Sequence, residues 1–304
     1  MSNYNQSQLH AYFERIHFSP DRFPPHSLSY LTALLRHQLV HVPFETLELH
    51  YSVDRKISLD PEVLFDKTVT RGRGGYCLEN NAFFGIILRS LGFNAYGVVC
   101  RITTATVGLT DGGWRPMSHM ANIVFVEGSK YLIDVGFGAD GPTTPLLLQH
   151  DNIVDGLRGQ DLRLELKTLP QHTDPSQKVW VYFFRCGNDD WKEIYHFSDS
   201  EFFLADFHVL NHYNMTIGRF TKLVVAQRFE SAKDLGAAHR LSGSVLLSQN
   251  RVERRVPGRP ASVLEHFSSE VERCAAFSEY FALALTQEEE HAIIGTDSEL
   301  EPAK

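Results

Sequence analysis

Long apolar runs are missing from this chain. The strongest, Phe83-Phe84-Gly85-Ile86-Ile87-Leu88 and residues 179–184, fall far short of the roughly 20 residues that span a bilayer, so no membrane partner is expected. Basic excess is missing too. With 29 Lys and Arg against 37 Asp and Glu, the formal net charge is −8, which argues against nucleic acid, a partner that needs a basic stripe. Cysteine is scarce. The four, at 77, 100, 186 and 274, have no zinc-type spacing and are expected as thiols in a reducing compartment. The polar start, Met1-Ser2-Asn3-Tyr4-Asn5-Gln6-Ser7, lacks the basic-then-apolar order of a signal peptide, so the expected location is cytoplasmic. There is no internal repeat or low-complexity segment.

What is present fits a folded enzyme. Hydrophobic residues at 43% and charged residues at 22% are ordinary for a globular protein, and 304 residues favour two or three units. Helical spacing recurs over 9–16, 28–39 and 77–91, interrupted by Pro20, Pro24-Pro25, Pro43 and Gly92, which predicts a helical bundle over 1–100. From 98 onward, short stretches rich in Val, Ile, Phe and Tyr alternate with Gly, Pro and Asp turns, predicting an antiparallel sheet or barrel over 101–210. Residues 211–304 mix strand candidates at 220–229 and 244–252 with a helix candidate at 261–285. The acidic stretch 286–304 is expected to fray. The fold class is α+β.

Cys77 carries the first chemical signal. It stands in Arg71-Gly72-Arg73-Gly74-Gly75-Tyr76-Cys77-Leu78-Glu79-Asn80-Asn81, where a glycine-rich loop meets a strongly apolar helix. A cysteine at a helix start is a poised nucleophile, because unpaired N–H groups and the positive dipole end favour a thiolate. A small buried hydrophobe is the competing reading. The glycines lack a following Lys-Ser/Thr, so they make a weak phosphate loop.

A nucleophilic thiol needs a base. Residues 118–136 read as a β-hairpin turning at 127–129. With Glu127 and Gly128 central, Val126 faces Ser129 and Asp134 faces Ala121, one same-face step from His119. Such diagonal neighbours lie roughly 7 to 8 Å apart, within side-chain reach. A turn at Gly128-Ser129 keeps the face but separates the two further. Cys77, His119 and Asp134 then form a Cys-His-Asp set, with the imidazole as base and the carboxylate fixing its tautomer.

These segments resemble the arylamine N-acetyltransferase family. Residues 73–81 look like its nucleophile motif, His119 stands at its histidine, and Tyr131-Leu132-Ile133-Asp134-Val135-Gly136-Phe137-Gly138 looks like its aspartate motif. Weaker matches are Tyr12-Phe13-Glu14-Arg15-Ile16, Val42-Pro43-Phe44-Glu45-Thr46-Leu47 and Cys100-Arg101-Ile102, the likeness being strong over 9–150 and loose beyond. Thr46 departs from the family's usual Asn. The resemblance implies a three-domain fold of helical bundle, antiparallel β-barrel and α/β lid, with a cysteine-protease-like catalytic core. It implies ping-pong transfer from acetyl-CoA or another acyl-CoA, a cosubstrate rather than a permanent cofactor, to an arylamine or hydrazine through a Cys77 thioester. N-malonyl or propionyl transfer is the alternative within the family, and a cysteine hydrolase or transglutaminase-like enzyme outside it. By the same likeness Gly136, Phe137 and Gly138 approach the acyl group and coenzyme, while Phe44 and Ile102 line the substrate pocket. Arg251, Arg254, Arg255 and Arg259 read as a solvated loop, and His208 with His212 as an exposed helix face.

Overall fold

The computed structural model describes residues 3–157, 159–231 and 240–300. Helix α1 (Gln6–Arg15) opens with a capping box between Asn5 and Gln8, and α2 (Leu28–His41) with the Ser27 hydroxyl accepting from Tyr30 N. A two-residue strand, β1 (Phe44–Glu45), interrupts the helical region. Helix α3 (Pro61–Phe65), capped by Asp60, runs through a π-helical turn, Asp66–Thr70, toward the glycine loop. Helix α4 (Cys77–Ser90) is buried on every side from Cys77 to Leu88, as its near-continuous apolar sequence requires. Tyr12, Leu34 and Leu35 share one core with its Phe83, Phe84 and Ile87.

Eight antiparallel strands follow. They are β2 (Asn94–Thr103), β3 (Trp114–Val126), β4 (Ser129–Ile133), β5 (Leu146–Leu147), β6 (Val154–Asp155), β7 (Gln160–Lys167), β8 (Val179–Cys186) and β9 (Lys192–Phe197). Their order, β5-β4-β3-β2-β9-β8-β7-β6, nearly closes on itself, because Asp151 N donates to Leu164 O at 2.8 Å just beyond β5. Inward-facing Val98, Cys100, Ile123, Leu164, Tyr182 and Tyr195 fill the interior. In the β3–β4 hairpin Val126 pairs with Ser129 and Asn122 with Ile133, the register of a turn centred on Glu127-Gly128.

The remainder comprises α5 (Leu204–Thr216), β10 (Val225–Ser231), β11 (Leu241–Ser248), β12 (Arg251–Arg255), β13 (Ser262–His266), α6 (Glu270–Phe281) and α7 (Gln287–His291). These strands add to β1 in the order β1-β10-β11-β12-β13, so Phe44 lies opposite Gln227. Thr46 secures that junction, accepting from Val225 N and donating to Leu223 O, both at 3.0 Å.

Three sequence expectations are corrected. The helix expected over 261–285 is a strand and then a helix, because 262–266 pairs with β12 and the Ser269 cap starts α6. The stretch 286–304 does not fray over its described part. Thr286 caps α7, Ile293 is fully buried with Phe277 and Phe281, and Arg273 Nη2 donates to Ser298 O at 2.8 Å, while 301–304 lie outside the described residues. The basic run 251–255 is a strand rather than a loop, and Glu253 and Glu230 neutralise it. His208 and His212 lie exposed on α5. Among the described residues no helix is long and apolar enough to cross a membrane.

Candidate active site

Cys77 is the first residue of α4, and the loop before it is shaped by close approach. A Cβ on Gly74 would fall 1.9 Å from Pro43 O, so only glycine fits there. The helix start is pinned twice. Glu79 Oε2 accepts from Tyr76 N at 3.0 Å, and Asn80 Nδ2 donates to Gly75 O at 2.8 Å. The thiol itself is buried and donates to Ser118 O at 3.6 Å.

His119 on β3 and Asp134 just past β4 are brought together by the hairpin register. Nε2 of His119 lies 2.7 Å from Asp134 Oδ2, and both side chains are sealed from solvent. The other carboxylate oxygen, Oδ1, accepts from Asn81 Nδ2 and Gly136 N, each at 2.9 Å. Burial would lower the His119 pKa, but the Asp134 charge and hydrogen bond, helped by a hydrogen bond with Cys77, push it up to about 10. Burial would raise Asp134, yet His119 and the bonds from Asn81 and Gly136 hold it below the usual carboxylate range. The imidazole is therefore bonded to a carboxylate and lies next to the residue whose carbonyl meets the Cys77 thiol, an arrangement suited to moving a thiol proton.

A model of the N-acetyltransferase family matches residues 27–288. The chain belongs to the arylamine N-acetyltransferase family. It is 30% identical over 324 residues to the N-malonyltransferase FDB2 of Fusarium pseudograminearum, covering 95% of this chain and 92% of that protein. Its fold matches the arylamine N-acetyltransferase of Mycobacterium abscessus with a TM-score of 0.78, at 23% identity over 96% of this chain and 95% of that one. The Mycobacterium marinum arylamine N-acetyltransferase solved in complex with CoA matches at 0.74, with 23% identity and coverage of 94% and 98%.

In this family member the expected pocket residues divide into two groups. Gly136 packs on the cysteine, since a Cβ there would stand 2.8 Å from Cys77 Cα and 2.7 Å from Asn81 Nδ2. The Phe137 ring meets that of His119 edge-on at 5.2 Å, and Phe44 is bridged to Gly75 and packs on Phe220 at 5.4 Å. Ile102 stands further off. It lies opposite Tyr195 on β9, whose ring touches both His119 and Phe137. Gly138 faces Gln227 rather than Cys77.

The sequence reading of this family member missed several participants. Asn81 ties α4 to both hairpin strands, donating to Met120 O and Asp134 Oδ1 and accepting from Val135 N. Its signal was its place four residues after Cys77, one helical turn along the same face. Asn214 of α5 donates to Ser118 O at 2.8 Å, the carbonyl that also meets the thiol. Beneath the glycine loop lies a buried charge cluster. Lys67 Nζ binds Glu79 at 2.6 Å and Glu45 at 3.6 Å, and Arg73 binds Glu45 at 3.2 Å and Glu289 of α7 at 3.1 Å. Burial pushes Glu79 up to about 7 despite Lys67, whereas Arg73 and Lys67 overcome burial at Glu45 and bring it to about 2. Burial and then the charge of Arg115 lower the pKa of Arg219.

Proposed function

We propose that the protein transfers an acyl group from acyl-CoA to an arylamine or arylhydrazine through a thioester on Cys77. The observation that carries this reading is the buried His119 ring bonded to Asp134, with the α4 N-terminal thiol held at the carbonyl of the preceding residue, Ser118. The sulfur attacks the acyl-CoA carbonyl, His119 takes the thiol proton, and the coenzyme leaves as its thiol after regaining that proton. The amine then attacks the Cys77 thioester, His119 removes its proton, and the sulfur is released. Asp134 keeps the imidazole oriented and balances its charge in both halves. The first turn of α4 offers N–H groups to the oxyanion that forms on the attacked carbonyl. Phe44 and Phe137 supply the apolar walls for an aromatic acceptor.

Acetyl transfer is the reading from motif resemblance. Malonyl transfer is favoured by a separate observation, the 30% identity with the N-malonyltransferase FDB2 across nearly the whole chain. Intact mass after mixing with acetyl-CoA or malonyl-CoA alone tests the mechanism. The expected result is one acyl adduct, lost on adding an aniline and missing in Cys77→Ala. Turnover without any adduct on Cys77 would overturn the covalent route.

A further inference from the structure

Gln227 is a polar anomaly on a strand face that packs into the core containing Cys77. On β10 it lies between Val225 and Phe229, which belong to the same apolar core as Cys77, and its cross-strand neighbours are Phe44 and Leu246. Residues i and i+2 of a strand share a face, so Gln227 points to that core with Val225 and Phe229. It is 3% exposed, and its Nε2 has no hydrogen-bond partner among the described residues. An unpaired buried amide donor is costly, and apolar residues would fit such a face without that cost.

The surroundings give the amide a direction. A Cβ on Gly138 would sit 3.7 Å from Gln227 Oε1, and two residues earlier Gly136 packs on the Cys77 backbone. From the other side Phe44, opposite Gln227, is bridged to Gly75, two residues before Cys77. The 136–138 loop and Phe44, each adjoining the Cys77 segment, thus meet at this carboxamide. A half-turn about its last bond presents either the oxygen or the NH2 group to the loop.

We infer that Gln227 selects the acyl group by donating its carboxamide N–H to a carboxylate at the far end of the acyl chain, so that malonyl-type thioesters are preferred to acetyl. The inference rests on the reading of Cys77 as the acyl acceptor. A carboxylate only accepts hydrogen bonds and accepts strongly. An acetyl group leaves the donor unpaired, and a site holding an unmet buried donor discriminates against the analogue that lacks the acceptor.

The test is the rate of adduct formation on Cys77 in the full chain, followed by intact mass with acetyl-, propionyl- and malonyl-CoA. Propionyl adds bulk without an acceptor, which separates hydrogen bonding from size. Wild type should load malonyl fastest. A hydrogen bond to a charged group is worth about 1.5 to 3 kcal/mol, so Gln227→Met should shrink the malonyl-to-propionyl ratio by about 10- to 100-fold. Gln227→Glu, which keeps the shape but repels a carboxylate, should shrink it as well, and this variant decides the matter if the Met variant does not fold. A wild-type preference for acetyl, an unchanged ratio in both variants, or an equal loss for all three acyl groups would each overturn the role of Gln227 while leaving the Cys77 thioester standing. No adduct on wild-type Cys77 from any of the three would overturn both.

Discussion

Two buried ion pairs flank the start of α4, and they differ in what they leave free. Glu79 is bonded to Lys67 and to Tyr76 N, and Lys67 also meets Glu45 and Glu48. That cluster fixes the loop and has little capacity left for a substrate. His119 spends one ring nitrogen on Asp134 and turns to Cys77 as well. Burial and charge are therefore common to both pairs. The reactive potential lies in the bonding capacity that remains after the structural bonds are counted.

The contrast is most severely tested by separating rate from stability. We predict that Asp134→Asn lowers the rate of acyl transfer per folded molecule on the order of 10⁴-fold, since it spoils the tautomer and the balancing charge. Transfer within tenfold of wild type in a steady-state assay would refute the triad. Lys67→Met should do the reverse. Stranding Glu79 without its cation, and leaving Glu45 with Arg73 alone, should cost on the order of 3 to 5 kcal/mol in denaturant unfolding, with rate per folded molecule largely kept. A stable but inactive Lys67→Met would place that cluster in the chemistry.

The two sites should also lose stability in different pH windows. Each has a group whose folded pKa is raised, so each contribution is fully present below the unfolded value and fades as pH rises through the folded one. For Glu79 the window runs from about 4.5 to about 7, and for His119 from about 6.5 to about 10. Stability against pH for Glu79→Gln and His119→Gln should flatten these windows separately, and a His119→Gln effect confined below pH 6 would contradict the assignment. The smallest effect is expected at Thr46→Val. It removes the hydroxyl bonded to Val225 N and Leu223 O, costing roughly 1 kcal/mol in melting experiments without touching acylation of Cys77.

The geometry of the candidate site was largely legible because each clue was local. The glycine loop before an apolar run marks where α4 starts, and the period-two alternation of the hairpin puts His119 and Asp134 on one face. Asn81, Asn214 and Gln227 were not legible, because their meaning depends on contacts between distant segments, such as Asn214 reaching Ser118 96 residues away. Residues 262–266 were merged with the following helix because Val263 and Leu264 fit either period, and only pairing with β12 decides between them. The stretch after 286 looked loose by composition. Its acidic residues lie in the first turn of α7, where they suit the helix dipole, and Glu289 also reaches Arg71 and Arg73.

The contact between Arg73 and Glu289 spans 216 residues of sequence. During synthesis the loop that presents Cys77 is made early, while the carboxylate that completes its charge balance emerges only after the whole barrel and the whole second sheet. Nascent chains fold from the N-terminal side, so α4 and its glycine loop must wait with Arg73 paired to Glu45 alone. An interrupted translation product that keeps Cys77, His119 and Asp134 would thus carry every reactive atom on an incompletely anchored loop.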